Sequence, residues 1–415
     1  MALASEAKNE NLDSYLACPS KPLSPIMTGE ALVAVFSKRP KGAKSSKVSI
    51  EDFEKLKVIG KGGFAEKVYL ARKKDNGQLC AIKTMCKKFI LGEQGRYDQV
   101  YSELKVMQRL QDHPFVIKMQ HAFQSKDYLH FVVDFCSGGE LFYLLSQKGS
   151  FSEEQARFYF AEMLLGLEYI HERDVLYRDL KPENIFIDLE GHIRLADFGL
   201  SKIQTPKSLN ETYCGSAEYM CPEMLNGETY SYGVDYYSLG AVLFEMVTGL
   251  PPFYSQDHRE MFQRALEQEL EYPPDKISKD LANLLSQMLH KDQRKRVSKS
   301  SVHKLKNHPW CRSIDWDSVL RKEMKPPFEP KLNQSNFDPE YVHDTSQLQS
   351  NRPRLNGQPR YSLNTTKHSY LYEDKPMTPA QPQQKPKLAT KPKPVKKSED
   401  FKNFYFSTST PTEKS

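Results

Sequence analysis

The residues that most narrow the fold lie between positions 177 and 199, where Tyr177-Arg178-Asp179-Leu180-Lys181-Pro182-Glu183-Asn184 is followed by Asp197-Phe198-Gly199. A carboxylate, an ammonium and a side-chain amide fall within six positions of one another, and another carboxylate follows shortly after. Phosphoryl transfer asks for this set: a carboxylate to accept a hydroxyl proton, a cation on the moving phosphoryl group, and oxygen ligands for magnesium. Asp179 suits the first role, Lys181 the second, and Asn184 with Asp197 the third. One amide and one carboxylate suffice, because magnesium takes most of its oxygens from phosphates and water.

Upstream, Leu56–Ile59, Val68–Ala71 and Leu79–Lys83 read as strands, separated by turns at Gly60-Lys61-Gly62-Gly63 and Asp75-Asn76-Gly77. This predicts a three-stranded antiparallel meander. Glycines in the first turn let backbone N–H groups approach an anion that a Cβ would obstruct. A strand, not a helix, follows them, which argues against a dinucleotide-binding fold. Lys83 ends the third strand, and Glu103 lies on a helical pattern of Val100, Leu104, Val106, Met107 and Leu110. An ammonium held by a carboxylate can grip phosphate oxygens. A further helix-like run extends from Ala156 to Ile170.

The chain has 415 residues and a net charge of +6, and the charge is unevenly placed. Residues 342–415 hold 13 Lys and Arg against 6 Asp and Glu, and 1–50 hold 7 against 4, so the body from 51 to 341 carries 39 against 43. A slightly acidic body lies between two basic ends. The 342–415 end also holds 9 of the 26 prolines and shows neither strand nor helix periodicity. Solvated tails, not a nucleic-acid or membrane-surface module, are expected there, although Ala31–Phe36 is a candidate docking strand. Seven cysteines without a C-x-x-C pair argue against disulfides and zinc. The start lacks a myristoylation glycine and a signal-peptide pattern, and the longest apolar stretch, near 238–253, is broken by Glu245 and Pro251. A cytoplasmic, and also nuclear, location is expected, with no transmembrane segment.

With Ala81-Ile82-Lys83, Glu103, Cys221-Pro222-Glu223 and Asp235 added, the motifs from Gly60 onward resemble the eukaryotic protein kinase signature set in order and spacing. Tyr177 before Arg178-Asp179, Ser137-Gly138-Gly139-Glu140-Leu141-Phe142 and Tyr213–Tyr219 resemble AGC serine/threonine kinases. So do Pro326–Pro330, Asn336–Tyr341 and Phe401–Phe406, which are similar to the AGC tail and its hydrophobic motif. The likeness is greatest to the protein kinase B, serum/glucocorticoid-regulated and ribosomal S6 kinase branch, without a lipid-binding domain.

The resemblance implies an α+β bilobal fold with a β-rich N-lobe and a helical C-lobe. The catalytic domain would span 53–311, after a flexible arm at 1–49. A tail at 312–415 would follow, largely disordered at 342–400, with the hydrophobic motif at 401–406. ATP and Mg2+ are the implied ligands. The nucleotide would meet Ile59, Gly60, Lys61, Gly62, Gly63, Phe64, Val68, Ala81, Lys83, Glu103, Val133 (the gatekeeper), Asp134 and Cys136 (the hinge), Glu140, Phe186 (the floor) and Asp197. Thr212 would be phosphorylated by an upstream kinase, with Arg178 and Lys202 placed to hold the phosphate, and Thr378 resembles a turn-motif site. Ser216 would bond Asp179 and Lys181, and Glu223 would pair with Arg296. Glu140, Glu183 and Glu245 would seat substrate arginines, implying an Arg-x-x-Ser/Thr preference. A monomer is expected, with a catalytically weak scaffold as the alternative.

Two departures stand out. Ala65-Glu66 replaces a single third glycine in the first turn, and Tyr405 stands where relatives carry a phosphorylated Ser or Thr.

Overall fold

The computed structural model describes residues 47–61, 67–93, 95–205, 210–330, 401 and 404–408. Gly62, Gly63, Phe64, Ala65, Glu66 and Thr378 lie outside the described residues, as do Ala31–Phe36 and 342–400.

The first lobe is a twisted antiparallel sheet. β1 (Phe53–Lys61), β2 (Lys67–Lys73) and β3 (Leu79–Cys86) form the expected meander, with Gly60 opposite Val68 and Leu70 opposite Ala81. α1 (Lys87–Gly92) and α2 (Arg96–Arg109) follow, then β4 (Met119–Gln124) and β5 (Tyr128–Asp134). The order across the sheet is β1-β2-β3-β5-β4, and a strand from the tail end, β11 (Phe406–Ser407), closes the β4 edge. α2 buries Val100, Leu104, Val106 and Met107 against the sheet, one stripe of a 3.6-residue period, and Glu103 is buried with them.

β6 (Gly139–Glu140) and α3 (Leu141–Lys148) lead into the second lobe, which is built on α4 (Glu153–Glu172). Ser152 caps α4 and shares a capping box with Gln155, two reciprocal bonds that fix where the helix begins. Short strands flank the segments that hold Asp179, Lys181, Asn184 and Asp197: β7 (Val175–Leu176), β8 (Ile185–Ile187), β9 (Ile193–Leu195) and β10 (Lys202–Ile203). β6, β8 and β9 form one small sheet, and β7 pairs with β10. The rest is helical: α5 (Pro222–Leu225), α6 (Gly233–Thr248), α7 (His258–Glu267), α8 (Lys279–Met288), α9 (His303–Lys306) and α10 (Trp316–Leu320). In α6 every residue from Val234 to Val247 is buried, so it is the central post of this lobe. No helix among the described residues is long and apolar enough to cross a membrane.

The lobes share one apolar core, and backbone bonds cross between them: Ile117 N–H donates to Leu195 O at 2.9 Å, and Leu195 N–H to Phe115 O at 2.9 Å. The hinge is drawn in at Gly138, whose N–H bonds Ile187 O at 2.9 Å. A Cβ there would stand 2.7 Å from Ile187 Cβ, so only glycine permits the approach.

Candidate active site

Two clusters gather the candidate residues. In the first, Lys83 lies within β3, which runs on to Cys86 and does not end at the lysine as the sequence suggested, and α2 presents Glu103; Lys83 Nζ lies 2.9 Å from Glu103 Oε1 and 3.8 Å from Asp197 Oδ1. Glu103 is 5% exposed and sits beside residues of the α2 apolar stripe. A buried carboxylate is tolerable because its charge is matched at hydrogen-bond distance. Asp197 is exposed, with φ +57, and accepts from Gly199 N–H at 3.2 Å. Gln99 of α2 donates to Gly199 O at 2.9 Å, tying the helix to the same turn.

Around these, Ala81 pairs with Val133 across β3 and β5, and Gln120 Nε2 donates to Asp134 Oδ1 at 2.8 Å. Cys136 is buried, and burial pushes its thiol up to about 12, so it is a packing group there. Gly60 pairs with Val68 across β1 and β2, and Glu140 with Phe186 across β6 and β8, while Ile59 lies in β1.

The second cluster is centred on Asp179. Lys181 Nζ lies 3.3 Å from Asp179 Oδ2 and donates to Ser216 Oγ at 2.6 Å. Ser216 Oγ in turn donates to Asp179 Oδ1 at 3.3 Å, and Asn184 Nδ2 bonds Asp179 Oδ2 at 2.8 Å. Burial disfavours the Lys181 charge, yet Asp179, Glu183 and Asp197 outweigh it and hold the ammonium's pKa above its ordinary value. The backbone beneath is pinned by Asp235 at the start of α6, which accepts from Tyr177 N–H at 2.9 Å and Arg178 N–H at 2.7 Å. Arg178 has φ +70, a strained conformation that these bonds hold in place. His171 secures Asp235 in turn, with Nε2 at 2.7 Å. Tyr177 is fully buried, its hydroxyl donating to Ala196 O and its ring edge-on to Phe198 at 5.4 Å.

A divalent ion fits these donors. Among the described residues no group of three His, Cys, Asp or Glu could hold a metal by itself. Asn184 spends Nδ2 on Asp179 and keeps Oδ1 as an acceptor, and the Asp197 carboxylate is exposed. That is a magnesium-type set completed by phosphate oxygens.

Carboxylates gather near Lys181 and Tyr219. Glu183 Oε2 is sealed from solvent with no hydrogen-bond partner among the described residues. Burial pushes Glu183 up to about 7, and Glu140 and Glu218 add to the rise while Lys181 opposes it. Burial also raises Glu245, to about 8, although Tyr219 donates its hydroxyl to Glu245 Oε2 at 2.6 Å. Glu218 and Tyr219 received no role of their own from the sequence, though they lie two and three positions after Ser216 in the same motif. Tyr230 is a further residue whose role the sequence did not signal. It takes a bond from Arg178 Nη1 at 3.1 Å and gives one to Thr212 O at 2.8 Å, while Thr212 itself is exposed. Lys202 is pulled below the usual lysine range by burial and by Arg178. Glu223 and Arg296 form a bidentate pair at 2.5 and 2.8 Å.

The protein kinase domain family matches residues 53–311. A RAC family serine/threonine-protein kinase homolog of Dictyostelium discoideum is 42% identical over 317 residues, 75% of this chain and 70% of the relative. The serine/threonine-protein kinase Sgk2 of Homo sapiens is 42% identical over 299 residues, 71% of this chain and 81% of the relative. The serine/threonine-protein kinase gad8 of Schizosaccharomyces pombe is 41% identical over 306 residues, 72% of this chain but 53% of the relative, so the chain spans about half that protein's length. With the ion pair, the aspartate cluster and both lobes in place, the chain belongs to the protein kinase family, among the AGC serine/threonine kinases.

Proposed function

We propose that this kinase moves the γ-phosphoryl group of ATP to Ser or Thr hydroxyls in protein segments rich in arginine. The observation that carries the reading is the convergence of Lys181, Ser216 and Asn184 on Asp179. Asp179 would take the proton of the incoming hydroxyl, and Lys181 would stand over the phosphoryl oxygens as charge moves onto them. Lys83, steadied by Glu103, would hold the phosphates of the nucleotide. Magnesium held by Asn184 and Asp197 would neutralise the phosphate charge.

Glu140 and Glu218 disfavour the charge on Glu183, and Glu183 and Glu218 that on Glu245, and a substrate guanidinium would relieve that repulsion by pairing with them. Thr212 is the proposed switch. A phosphate there would bring about two negative charges to the side of Arg178 and Lys202, and the crowding of those two cations supports an anion seat. The tail is proposed to hold α2 from behind: Phe401 and Phe404 are buried against Tyr97 and Tyr101 of that helix. A reducing intracellular location, in the cytoplasm and nucleus, fits the free cysteines.

One assay tests the reading: an oriented peptide library phosphorylated by the chain with and without prior phosphorylation of Thr212. Selection of Arg upstream of Ser/Thr, and loss of most activity in Thr212→Ala, are expected. Acidic or proline-directed selection, or full activity of Thr212→Ala, overturns it. The scaffold alternative predicts that Lys83→Met leaves peptide phosphorylation unchanged, and we expect that substitution to abolish it.

A further inference from the structure

Tyr405 occupies the position where the resemblance expects a phosphorylated hydroxyl, and its surroundings differ from what a phosphate would need. β11 pairs antiparallel with β4, Phe406 opposite Ala122 and Ser407 opposite His121, and Thr408 N–H donates to Gln120 O at 3.0 Å. Alternate residues of an extended segment face opposite sides of a sheet. Phe404 and Phe406 therefore turn inward to the shared core, Phe404 meeting Phe131 at 5.2 Å and Tyr101 at 6.0 Å. Tyr405 turns outward onto a separate apolar cluster of Phe53, Ala71, Cys80, Ile82, Phe123 and Val132, which Val48 and Ile50 also cover. An apolar face is a costly seat for a dianion and a good one for an aromatic ring.

The hydroxyl has a partner as well. Val48 N–H, in the segment before β1, donates to Tyr405 Oη at 3.3 Å across 357 positions of sequence. The segment is itself fixed, since Ser49 N–H bonds Asp52 Oδ2 at 2.8 Å and Phe53 stacks on Phe123 at 6.0 Å. On the opposite edge of the tail, Ser407 Oγ meets His121 Nδ1 at 2.9 Å.

We infer that Tyr405 is a positioning residue that holds the tail on the N-lobe through its own ring and hydroxyl, in place of a phosphorylated acceptor, by joining the segment before β1 to β11. The inference rests on the tail-docking role proposed above. Docking of this kind is always present. It bears on catalysis through α2, because the same tail buries Phe401 and Phe404 behind the helix that carries Glu103. It also reaches the hinge, since Gln120 accepts from Thr408 and donates to Asp134.

The test uses the full chain, with and without phosphatase treatment, followed by hydrogen exchange of residues 47–53 and 404–408 and by steady-state kinetics. In the phosphatase-treated chain the 404–408 amides are expected to stay protected. Tyr405→Phe keeps the ring and loses the acceptor, so exchange in 47–53 should rise about fivefold, the loss of one hydrogen bond, with 404–408 still protected. Tyr405→Ser should release both segments and raise the KM for ATP more than it lowers kcat. Emission from Trp310 and Trp316, both in the other lobe, checks that this variant is folded. Protection at 404–408 that appears only in phosphorylated chain, or 47–53 exchange unchanged in Tyr405→Phe, overturns the inference. Free exchange of 404–408 in both forms instead overturns tail docking itself.

Discussion

Asp179, Lys181 and Asn184 were legible because the chemistry dictates residue types and a short turn dictates their spacing: only five positions separate the carboxylate from the amide. Ser216 and Glu223 were reachable only through resemblance, since their partners lie 37 and 73 positions away. Tyr219 was marked only as the last residue of the Tyr213–Tyr219 motif, with no use for its hydroxyl, and Tyr230 carried no signal at all, because a tyrosine in such a segment reads as core whether or not its hydroxyl is used. The Glu223–Arg296 pair shows what a single contact of this kind is worth. Both side chains are buried, at 2% and 0% exposure, and their two bonds are near-parallel and short. Such a pair gives little net stability over an apolar substitute, but removing one partner strands a charge in the interior at a cost of about 3–5 kcal/mol. Glu223→Ala is expected to lose that much in chemical denaturation, while Arg294→Ala, an exposed cation nearby on the chain, should change stability by less than about 0.5 kcal/mol. Equal effects from the two would refute the burial argument.

At the scale of elements, the β1–β3 meander was readable from alternating strands and turn residues, and α2 from its apolar period. α6 was not readable as a helix from periodicity, because a segment buried on every side has no polar face to set a period. β11 was not readable as a strand either. Phe401–Phe406 suggested aromatic rings filling a groove, and the bonds that make it a strand belong to the free edge of β4. Packing explains one glycine inside α6 that propensity would remove. Gly240 faces α8, and a Cβ there would stand 2.9 Å from Met288 Cβ and 3.2 Å from Leu289 Cγ. Alanine would gain up to about 1 kcal/mol in helix propensity. Forcing two buried helices apart costs typically about 1–3 kcal/mol, and the neighbours are held in the core, so overpacking wins. Gly240→Ala should therefore lower the thermal midpoint, by roughly 2–4 °C for each net kcal/mol. A raised midpoint would show that α8 can move aside.

Over the whole molecule, the division into basic ends and an acidic body was visible in the sequence, whereas the opposed titration of the two lobes was not, because burial causes it. In the N-lobe, His121 and His130 are 4% and 2% exposed, and burial pushes both down to about 4. Lys73 adds to the fall at His121 while Asp75 and Asp52 oppose it, and Lys55 and Lys87 act on His130 against Glu51. These imidazoles stay neutral when folded and take up a proton near pH 6.5 when exposed. Unfolding therefore binds protons between about pH 6.5 and 4, so N-lobe stability is full above that window and is lost as pH falls through it. The ceiling is about 3 kcal/mol for each histidine. In the C-lobe, Glu183 and Glu245 have raised values, so their contribution runs the other way and weakens as pH rises from about 4.5 to between 7 and 8. Acidification should thus loosen the sheet and its β11 edge, where His121 holds Ser407, before the helical lobe. At pH 5 the β4, β5 and β11 amides should lose protection relative to pH 7.5, after correction for intrinsic exchange, while Trp310 and Trp316 emission is unchanged. Replacing both histidines with glutamine should flatten the difference. Equal N-lobe protection at both pH values, or a tryptophan change that precedes it, would refute the lobe-specific linkage.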